Sequence, residues 1–394
     1  MSKKRFYLIK RADRLTNGKA TYYARFRNEA GELLPWRSTG ETAKTRAELW
    51  ALDQIKLGFK MTDKRMRFSE YAENWWKWDK CSYVRRKLAR GKSLSKGYAD
   101  ARRTYLERHI LPAFKDMFLQ EITAGMIENW LMALKDAPRN PRVPESLPLS
   151  PTTVNHCLGT LRTMMSEAFR LGYITNDPAG TVEKLQEFPK EKQILTLTEL
   201  RTLLDESKIG EVWKSDRKQF SLNLLAASTG MRMGEIQALQ VQNLRPDHIV
   251  VAHSWGRKYG LKEPKWNSFR EIPIPAKTSR FLFQLVEESP YNKPEDFVFF
   301  GKNGRTPIGD KSISKALYSG LARIGIGSHD RELRNITFHS WRHLFNSICR
   351  SRIPDYKLRL LTGHRAEEMT EHYTHVTLQD FADVQELQER FIGK

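Results

Sequence analysis

The chain has 394 residues and a formal net charge of +21, from 67 Lys and Arg against 46 Asp and Glu. Its length suggests two or three domains, and its 40% of hydrophobic residues can supply real apolar cores. The surplus of basic residues favours a polyanionic partner, although a basic ribosome-like or membrane-surface protein would share that surplus.

Membrane insertion and disulfide bonding are not expected from this sequence. There is no run of eighteen apolar residues, and the start, MSKKRFYLIKR, lacks the apolar segment of a signal peptide, so we expect a cytoplasmic protein. Cys81, Cys157 and Cys349 are too few and too scattered for a disulfide framework or a zinc site. We expect reduced and mostly buried thiols.

The first sixty or so residues are predicted to form a small sheet followed by a helix. The segments RFYLIKR, ATYYARFRN and LLPWRSTGE are rich in β-branched or aromatic residues and are separated by turn signals at Asn17-Gly18 and Ala30-Gly31. From Lys44 the apolar spacing becomes helical. About 14 basic against about 6 acidic residues suit docking on DNA, with a solubilising or oligomerisation module as the alternative.

The next segment, residues 65 to about 185, is predicted to be all-helical. The predicted N-caps are Ser69, Ser95, Thr123 and Ser150. Pro151 follows the last of these, and its helix is predicted to end at Gly172, with a proline-rich loop before it. An aromatic cluster fits a helical core better than a platform for stacking bases. Its members are Trp75, Trp76 and Trp78.

A polar segment, FPKEKQ, precedes roughly 200 C-terminal residues. There we predict a helix over Leu195 to Ser207 with Thr198 as its N-cap, and a second helix over Lys218 to Ala227. Strands are predicted in HIVVAHSW, YGLKEPKW and REIPIP. The chain ends in an amphipathic helix that could pack on its own domain. The apolar positions of this helix are Val376, Leu378, Phe381, Val384, Leu387 and Phe391.

One stretch near the C-terminus contains side chains suited to phosphate chemistry. His339 and Arg342 are three residues apart and would share a helix face, and His364 follows a glycine after an apolar segment. Fixed Arg and His donors stabilise the charge that develops on a phosphodiester under attack. Tyr373, flanked by two histidines, is the candidate nucleophile. An unperturbed tyrosine has a pKa near 10, so forming its phenolate at pH 7 costs roughly 4 kcal/mol and requires help from neighbours.

Upstream, the segment LLAASTGMRMGEIQALQ places Arg232 just after Thr229 and Gly230, and Glu235 three residues later. This segment is followed by a lysine between short strands, then His-x-x-Arg, then Gly-His, and then a tyrosine nine residues on. That order and spacing resembles the tyrosine recombinase, or phage integrase, family. The resemblance implies a catalytic set of Arg232, Lys265, His339, Arg342, His364 and Tyr373, with Glu235 supporting the first arginine.

The lysine is the least constrained member of this set. Lys258, Lys262 and Lys265 all lie near the predicted hairpin, where a lysine can reach the minor groove and protonate a leaving 5′-oxygen. Similarity of the PKWNSFREIPIP frame to the family's catalytic hairpin favours Lys265, and an ordinary surface lysine is the alternative.

The resemblance also implies a multidomain α+β protein. Residues 1–62 would be an arm-type DNA-binding domain with a small β-sheet and a helix, and residues 65–186 an all-helical, SAM-like core-binding domain. Residues 193–394 would be a mainly helical catalytic domain with a small β-sheet. The residues expected to contact DNA are Arg25, Arg27, Trp36, Arg37, Lys92, Lys96, Arg102, Arg103 and Arg108.

The implied reaction is site-specific cutting and rejoining of double-stranded DNA through a 3′-phosphotyrosine, by a homotetramer at attachment sites. It would integrate and excise a phage or other mobile element in a bacterial host, in association with the nucleoid. An excisionase and a host DNA-bending protein are further implied partners, and the C-terminal helix would dock on a neighbouring subunit. No cofactor or metal is expected, because guanidinium groups neutralise the charge and no carboxylate cluster is seen.

Three other functions fit parts of the sequence. A type IB-like topoisomerase would use the same residues without synapsis, but the basic N-terminal module argues against it. A catalytically inactive DNA-binding protein on the same scaffold would normally have lost one of the six residues, which are all present. A metal-dependent nuclease would need clustered Asp and Glu near the basic site, which the sequence lacks.

Overall fold

The structure, a computed structural model, describes residues 6–16, 19–27, 31, 33–56, 65–140, 142–143, 145–188, 193–263, 269–363 and 381–392. It divides into two compact units, residues 1–188 and 189–394. Both units combine helices with small antiparallel sheets, so the predicted α+β class is confirmed. Within the described ranges, no helix is long and apolar enough to cross a membrane.

The first unit opens with the predicted sheet and helix. Their bounds are β1 (Phe6–Thr16), β2 (Lys19–Phe26), β3 (Arg37–Ser38) and α1 (Lys44–Lys56). The strands are antiparallel in the order β1-β2-β3, and Phe6 pairs with Phe26. Ala24 and Phe26 lie on the same face of β2 because side chains alternate along a strand, and both are buried with Ala51 of α1. The predicted turn at Asn17-Gly18 lies outside the described residues.

Helices form the rest of the first unit. They are α2 (Phe68–Ala72), α3 (Ser82–Ala89), α4 (Lys96–Tyr105), α5 (Leu111–Phe114), α6 (Ala124–Asp136) and α7 (Pro151–Leu171). A single π-helical turn, Leu106–Ile110, joins α4 to α5. The core that these helices enclose includes Trp75 and Trp76, with Trp78 packed against its edge, so the predicted core role of this aromatic cluster is confirmed.

The predicted helix ends in this region are mostly confirmed. The hydroxyls of Ser95, Thr123 and Ser150 each accept a hydrogen bond from a backbone N–H in the first turn of the helix that follows. Gly172 ends α7 in the left-handed conformation at φ +85°, which glycine adopts without strain.

The prediction that Ser69 caps one long helix is wrong. Helix α2 begins at Phe68 and ends at Ala72, and the chain then turns, with Trp76 at φ +62°. Trp75 and Trp76 are both buried in the core of the helical region. The left-handed backbone at Trp76 is incompatible with a continuing α-helix, so the helix that Ser69 was predicted to cap ends early.

The second unit is mainly helical. Its helices are α8 (Leu197–Leu203), α9 (Ile209–Trp213), α10 (Arg217–Thr229), α11 (Met233–Gln237), α12 (Ala276–Glu287), α13 (Asp310–Arg323), α14 (Ser328–Leu333), α15 (Ser340–Arg350), α16 (Asp355–Thr362) and α17 (Ala382–Ile392). Its strands are β4 (His248–Val251), β5 (Ser254–Gly256), β6 (Gly260–Lys262) and β7 (Arg270–Pro273).

Two predictions in this unit are corrected. Thr196, and not Thr198, caps α8, because the Thr196 hydroxyl accepts from the Glu199 N–H while the Glu199 carboxylate accepts from the Thr196 N–H. The segment HIVVAHSW is not one strand, since β4 pairs with β7 whereas β5 pairs with β6 in a separate hairpin. The chain changes partner between the two strands, which periodicity alone does not reveal.

Helix α17 packs on its own unit. Val384, Leu387 and Phe391 are buried in the same core as α10 and α15, whereas Val376 and Leu378 lie outside the described residues. The side-chain amide of Gln388, fully buried, donates to the carbonyls of Ser228 at 2.8 Å and Pro273 at 2.9 Å. Docking of the C-terminal helix on a neighbouring subunit stays a prediction.

Apolar residues gather in three separate clusters among the described residues. One lies under the N-terminal sheet, one among the helices that follow, and one in the second unit. The three domain ranges stay a prediction. Cys81, Cys157 and Cys349 are buried free thiols, as the sequence predicted.

Candidate active site

Helix α10 and the glycine that ends it set the position of Arg232. Residues Gln219–Thr229 of this helix are all buried, and Gly230 ends it at φ +62°. A Cβ at Gly230 would lie 2.7 Å from Cδ1 of Phe345 in α15, so α10 and α15 approach this closely only because residue 230 is glycine. Arg232 follows at the start of α11 with its side chain 25% exposed.

Glu235 lies in the first turn of α11, and its side chain is 1% exposed. Its Oε1 accepts from Nη1 of Arg232 at 2.9 Å, and its Oε2 accepts from the backbone N–H of Arg232 at 3.0 Å. Arg270 of β7 donates from Nη2 to Oε2 at 2.8 Å. Burial alone would raise the pKa of Glu235, but the charges and hydrogen bonds of Arg270 and Arg232 outweigh burial and lower it. Glu235 is therefore an ionised carboxylate held between two arginines.

Arg342 reaches the same place from α15. It is 2% exposed, and it donates from Nη1 to the carbonyl of Gly230 at 2.9 Å and from Nη2 to the carbonyl of Thr362. Both acceptors are neutral, so they satisfy hydrogen bonds without cancelling the charge. Burial, and then the charge of Arg232, lower the pKa of Arg342 to about 9, and Glu235 opposes this only in part. Among the described residues, Glu235 is the carboxylate that acts on Arg342, and it is also paired with Arg232 and Arg270.

Three consecutive carbonyls at the end of α16 each meet a different arginine. The last carbonyls of a helix have no partner within the helix and carry the negative end of its dipole. At this end, the Leu361 carbonyl accepts from Nε of Arg270 at 2.6 Å, the Thr362 carbonyl from Arg342, and the Gly363 carbonyl from Nη2 of Arg232 at 3.0 Å. The three arginines therefore fix the position of the C-terminal end of α16.

The described part of this site holds three guanidinium groups against one carboxylate, so it carries a net positive charge. A phosphodiester brings one negative charge, and attack on it places further charge on the non-bridging oxygens. Preorganised guanidinium donors in a water-poor site can bind the first charge and stabilise the second. The arrangement is therefore suited to phosphoryl transfer.

Among the other predicted catalytic residues, His339 is described and exposed. It precedes α15, and its ring centroid is 4.9 Å from that of His343, edge to face. Lys258 and Lys262, the two competing lysines, are exposed at the β5–β6 hairpin. Three predicted residues lie outside the described residues, namely Lys265, His364 and Tyr373.

Arg270 is the member of this cluster that the sequence interpretation missed. A usable signal was present, because Arg270 and the buried Ile272 are two apart in a predicted strand and so share a face. An arginine on the buried face of a strand needs an acidic or carbonyl partner. Glu235, already singled out in the sequence, supplies that partner.

The structure describes all four residues of the N-terminal module that are predicted to contact DNA. Trp36 is exposed, and the guanidinium of Arg25 lies 5.8 Å from its ring centroid while donating to a backbone carbonyl at 2.7 Å. Arg27 donates to a backbone carbonyl at 2.6 Å and to the Tyr7 hydroxyl at 3.0 Å. Burial lowers the pKa of Arg37. DNA contact by these four residues stays a prediction.

The predicted contacts of the helical region fall into two groups. Lys92, Lys96 and Arg108 are exposed. Arg102 donates to the His156 carbonyl at 2.7 Å, and Arg103 donates to Glu107 at 2.6 Å and to three backbone carbonyls. These last two arginines therefore have bonding roles within the fold, and DNA contact by all five stays a prediction.

Comparison with known proteins gives a consistent result for the second unit. Residues 193–380 match the model of the phage integrase family. Tyrosine recombinase XerD of Oceanobacillus iheyensis is 28% identical over 236 residues, covering 58% of this chain and 72% of the relative. Tyrosine recombinase XerC of Lactobacillus leichmannii is 24% identical over 245 residues, covering 59% of this chain and 74% of the relative.

Two solved structures share the fold. The Tn1549 transposon integrase, in complex with a circular intermediate DNA, aligns with a TM-score of 0.58 and 18% identity, over 76% of this chain and 95% of that one. A lambda integrase tetramer bound to a Holliday junction aligns with a TM-score of 0.55 and 15% identity, over 93% of each chain. At these identities the likeness concerns the fold.

Proposed function

We propose that this chain, whose residues 193–380 match the phage integrase family of tyrosine recombinases, is an integrase that cuts and rejoins double-stranded DNA at specific attachment sites. Its reaction would pass through a 3′-phosphotyrosine intermediate. Its substrate would be the DNA of a phage or other mobile element, which it would integrate and excise.

The observation that carries this proposal is the presence of Arg232 and Arg342 beside the carboxylate of Glu235. In the described part of the site, Arg342 donates to two neutral carbonyls, and the side chain of Arg232 is partly exposed. Each guanidinium has five N–H groups, so both keep donors beyond the hydrogen bonds described above. These donors support a role in holding the non-bridging oxygens of one phosphodiester.

In the proposed first step, the hydroxyl oxygen of Tyr373 attacks the scissile phosphorus. A bond forms between that oxygen and phosphorus while the bond to the 5′-oxygen breaks, and the departing oxygen takes a proton from Lys265. Arg232 and Arg342 stabilise the charge of the transition state.

His339 would assist proton transfer by accepting the proton that the Tyr373 hydroxyl gives up, and His364 would complete the oxyanion contacts. In the second step, the 5′-hydroxyl of another strand attacks the phosphotyrosine, so the phosphodiester is restored and the tyrosine leaves. The bond energy is kept in the adduct throughout, and no external energy source is needed.

The assembly proposed for this reaction is a homotetramer on two DNA duplexes. Its support is the shared fold with a lambda integrase tetramer bound to a Holliday junction. The N-terminal sheet module, with its excess of basic residues, would bind arm-type sites outside the exchange region. An excisionase and a host DNA-bending protein are further proposed partners, and the nucleoid is the proposed location.

The experiment that tests the proposal traps the covalent intermediate. Purified protein is incubated in EDTA with labelled duplex DNA taken from beside its own gene, intact or with a nick near the cleavage point that lets the released strand diffuse away. Denaturing gels should show a slow, protease-sensitive adduct, and Tyr373→Phe should abolish it while leaving native-gel binding unchanged at the same ionic strength.

Three results would contradict the proposal. An adduct that survives in Tyr373→Phe would remove the tyrosine as nucleophile. Tight binding to the same fragments without any adduct, even on the nicked substrate, would favour a catalytically inactive DNA-binding protein. Relaxation of a supercoiled plasmid without strand exchange would instead favour a topoisomerase-like activity.

A further inference from the structure

Arg270 connects three parts of the second unit. It is the first residue of β7, where it pairs with Val251 of β4. Its side chain is 8% exposed, donates from Nε to the Leu361 carbonyl at 2.6 Å, and lies against both oxygens of Glu235, at 2.8 Å and 3.4 Å. One guanidinium therefore joins a strand, the acidic residue of α11 and the end of α16.

We infer that Arg270 is a positioning residue for strand cleavage, acting through Glu235 and α16 and not on the phosphate itself. The inference rests on the proposed function of the site. Arg270 would keep the Glu235 carboxylate in the orientation that aims Arg232, and it would keep the last turn of α16 in place beside Arg342.

A buried carboxylate needs partners for both of its oxygens. Glu235 has two oxygens to satisfy, and Arg232 alone approaches them with one guanidinium nitrogen and one backbone N–H. Without Arg270, the carboxylate would lose its second cation in a site from which water is excluded. It would then rotate or take up a proton, and the orientation of Arg232 would be lost with it.

The side chains of Arg270 and Arg342 are both buried, but their partners differ. The charge of Arg270 is matched by the carboxylate it faces, whereas Arg342 faces two neutral carbonyls. A guanidinium in a bidentate ion pair has little attraction left for a phosphate. Arg232 also pairs with Glu235, but its side chain is 25% exposed against 8% for Arg270, so it can still reach a phosphate. Partners and exposure together assign the phosphate to Arg342 and Arg232 and the supporting role to Arg270.

The test compares Arg270→Met, Arg270→Lys, Glu235→Gln and the double variant Arg270→Met/Glu235→Gln. Arg280→Met is the matched control, because Arg280 forms a bidentate pair with Glu206 in the same unit, but about half exposed and away from the site. Each variant is measured for melting temperature, for affinity by gel shift at one ionic strength, and for single-turnover cleavage of the nicked substrate.

Arg270→Met should slow cleavage by about 100-fold while its affinity stays within about threefold of the parent, since a small displacement of a catalytic group is enough for such a loss. Arg280→Met should match the parent in both measurements. The defect of the double variant should be clearly smaller than the product of the two single defects, because Arg270 acts in part through Glu235 and coupled residues are not additive. Cleavage by Arg270→Met within about threefold of the parent, or defects that multiply in the double variant, would overturn the inference.

Two further measurements keep the inference testable in other cases. If Arg270→Met does not fold, the double variant is the first alternative, because it removes the unpaired carboxylate. Arg270→Lys is the second, because it keeps the charge but loses the bidentate geometry. A parental cleavage rate in Arg270→Lys would overturn the inference. If the parent protein itself forms no adduct, the proposed function fails. Amide hydrogen exchange across α16 then tests whether Arg270 positions this helix. Faster exchange in residues 355–363 of an Arg270 variant than in Arg280→Met would support the positioning role, and equal exchange would overturn it.

Discussion

Nη1 of Arg342 donates to the carbonyl of Gly230 at 2.9 Å, joining α15 to the end of α10. The same glycine packs against Phe345, which lies one helical turn beyond Arg342 on α15. A residue with no side chain thus controls both the approach of the two helices and the acceptor that orients the arginine.

Gly230→Ala should therefore reduce both stability and cleavage. Its new methyl would lie 2.7 Å from a ring carbon of Phe345, at a φ of +62° that alanine rarely adopts. We expect a loss of about 2 kcal/mol in the free energy of unfolding, measured by denaturant titration, and slower cleavage at unchanged DNA affinity. Gly327→Ala is the control, because nothing lies within 4 Å of its Cβ position and its φ is −70°. Equal losses in the two variants would contradict this account.

Arg342→Met should have an effect that depends on the charge of the substrate. On a phosphodiester, loss of this donor should slow single-turnover cleavage by about 10² to 10³-fold. On a substrate with a neutral methylphosphonate at the cleavage point, less negative charge develops, so the loss should shrink to about tenfold or less. The measurement is the ratio of variant to parent rates on the two substrates, and a ratio that does not change would argue that Arg342 does not neutralise phosphate charge.

Glu167 of α7 should make the first unit sensitive to acid. It is 5% exposed and bonded by Arg170 and Arg86, and although burial alone would raise its pKa, these partners lower the pKa to about 2. Because the folded-state pKa lies below the ordinary value of 4.5, its contribution is fully present above about pH 4.5 and is lost as the pH falls toward 2. That contribution amounts to about 3 kcal/mol at neutral pH.

The measurement is denaturant unfolding of the parent and Glu167→Gln at a series of pH values. The difference between them should be constant near neutrality and shrink in acid. Glu121→Gln is the control, since its pair with Arg65 is exposed and should contribute little at any pH. A difference that stays constant down to about pH 3 would contradict the linkage.

Gln388 should be required for docking of α17. Its amide bonds two carbonyls, at Ser228 and Pro273, that lie just before Arg232 and just after Arg270 in the chain. Gln388→Met would leave both buried acceptors without a donor, which should cost about 2 to 3 kcal/mol of unfolding free energy in a denaturant titration. Arg390→Gln, which removes only an exposed pair with Glu386, should change it by less than about 0.5 kcal/mol. A parental midpoint for Gln388→Met would mean that α17 is not held by this contact.

Local features of the fold were largely predictable. Ser95, Thr123 and Ser150 were identified as caps because capping depends on a side chain and the backbone within three residues. Ser69 was misassigned because the burial of Trp76 depends on the packing of the whole helical region, which overrides the local signal at the serine.

The amino-acid sequence by itself determined which chemistry is available: the order of the motifs, the arginines and the acid of the site, and the positive charge. Only the tertiary structure decided which residues bond to one another. Arg270 bonds to Leu361 at a sequence separation of 91 residues, and Arg232 bonds to Gly363 at a separation of 131. Contacts between residues so far apart follow from how buried helices and strands pack, and no short pattern encodes them. The convergence of three arginines on three consecutive carbonyls of α16 is a result of that packing, and it gives the site its surplus of positive charge.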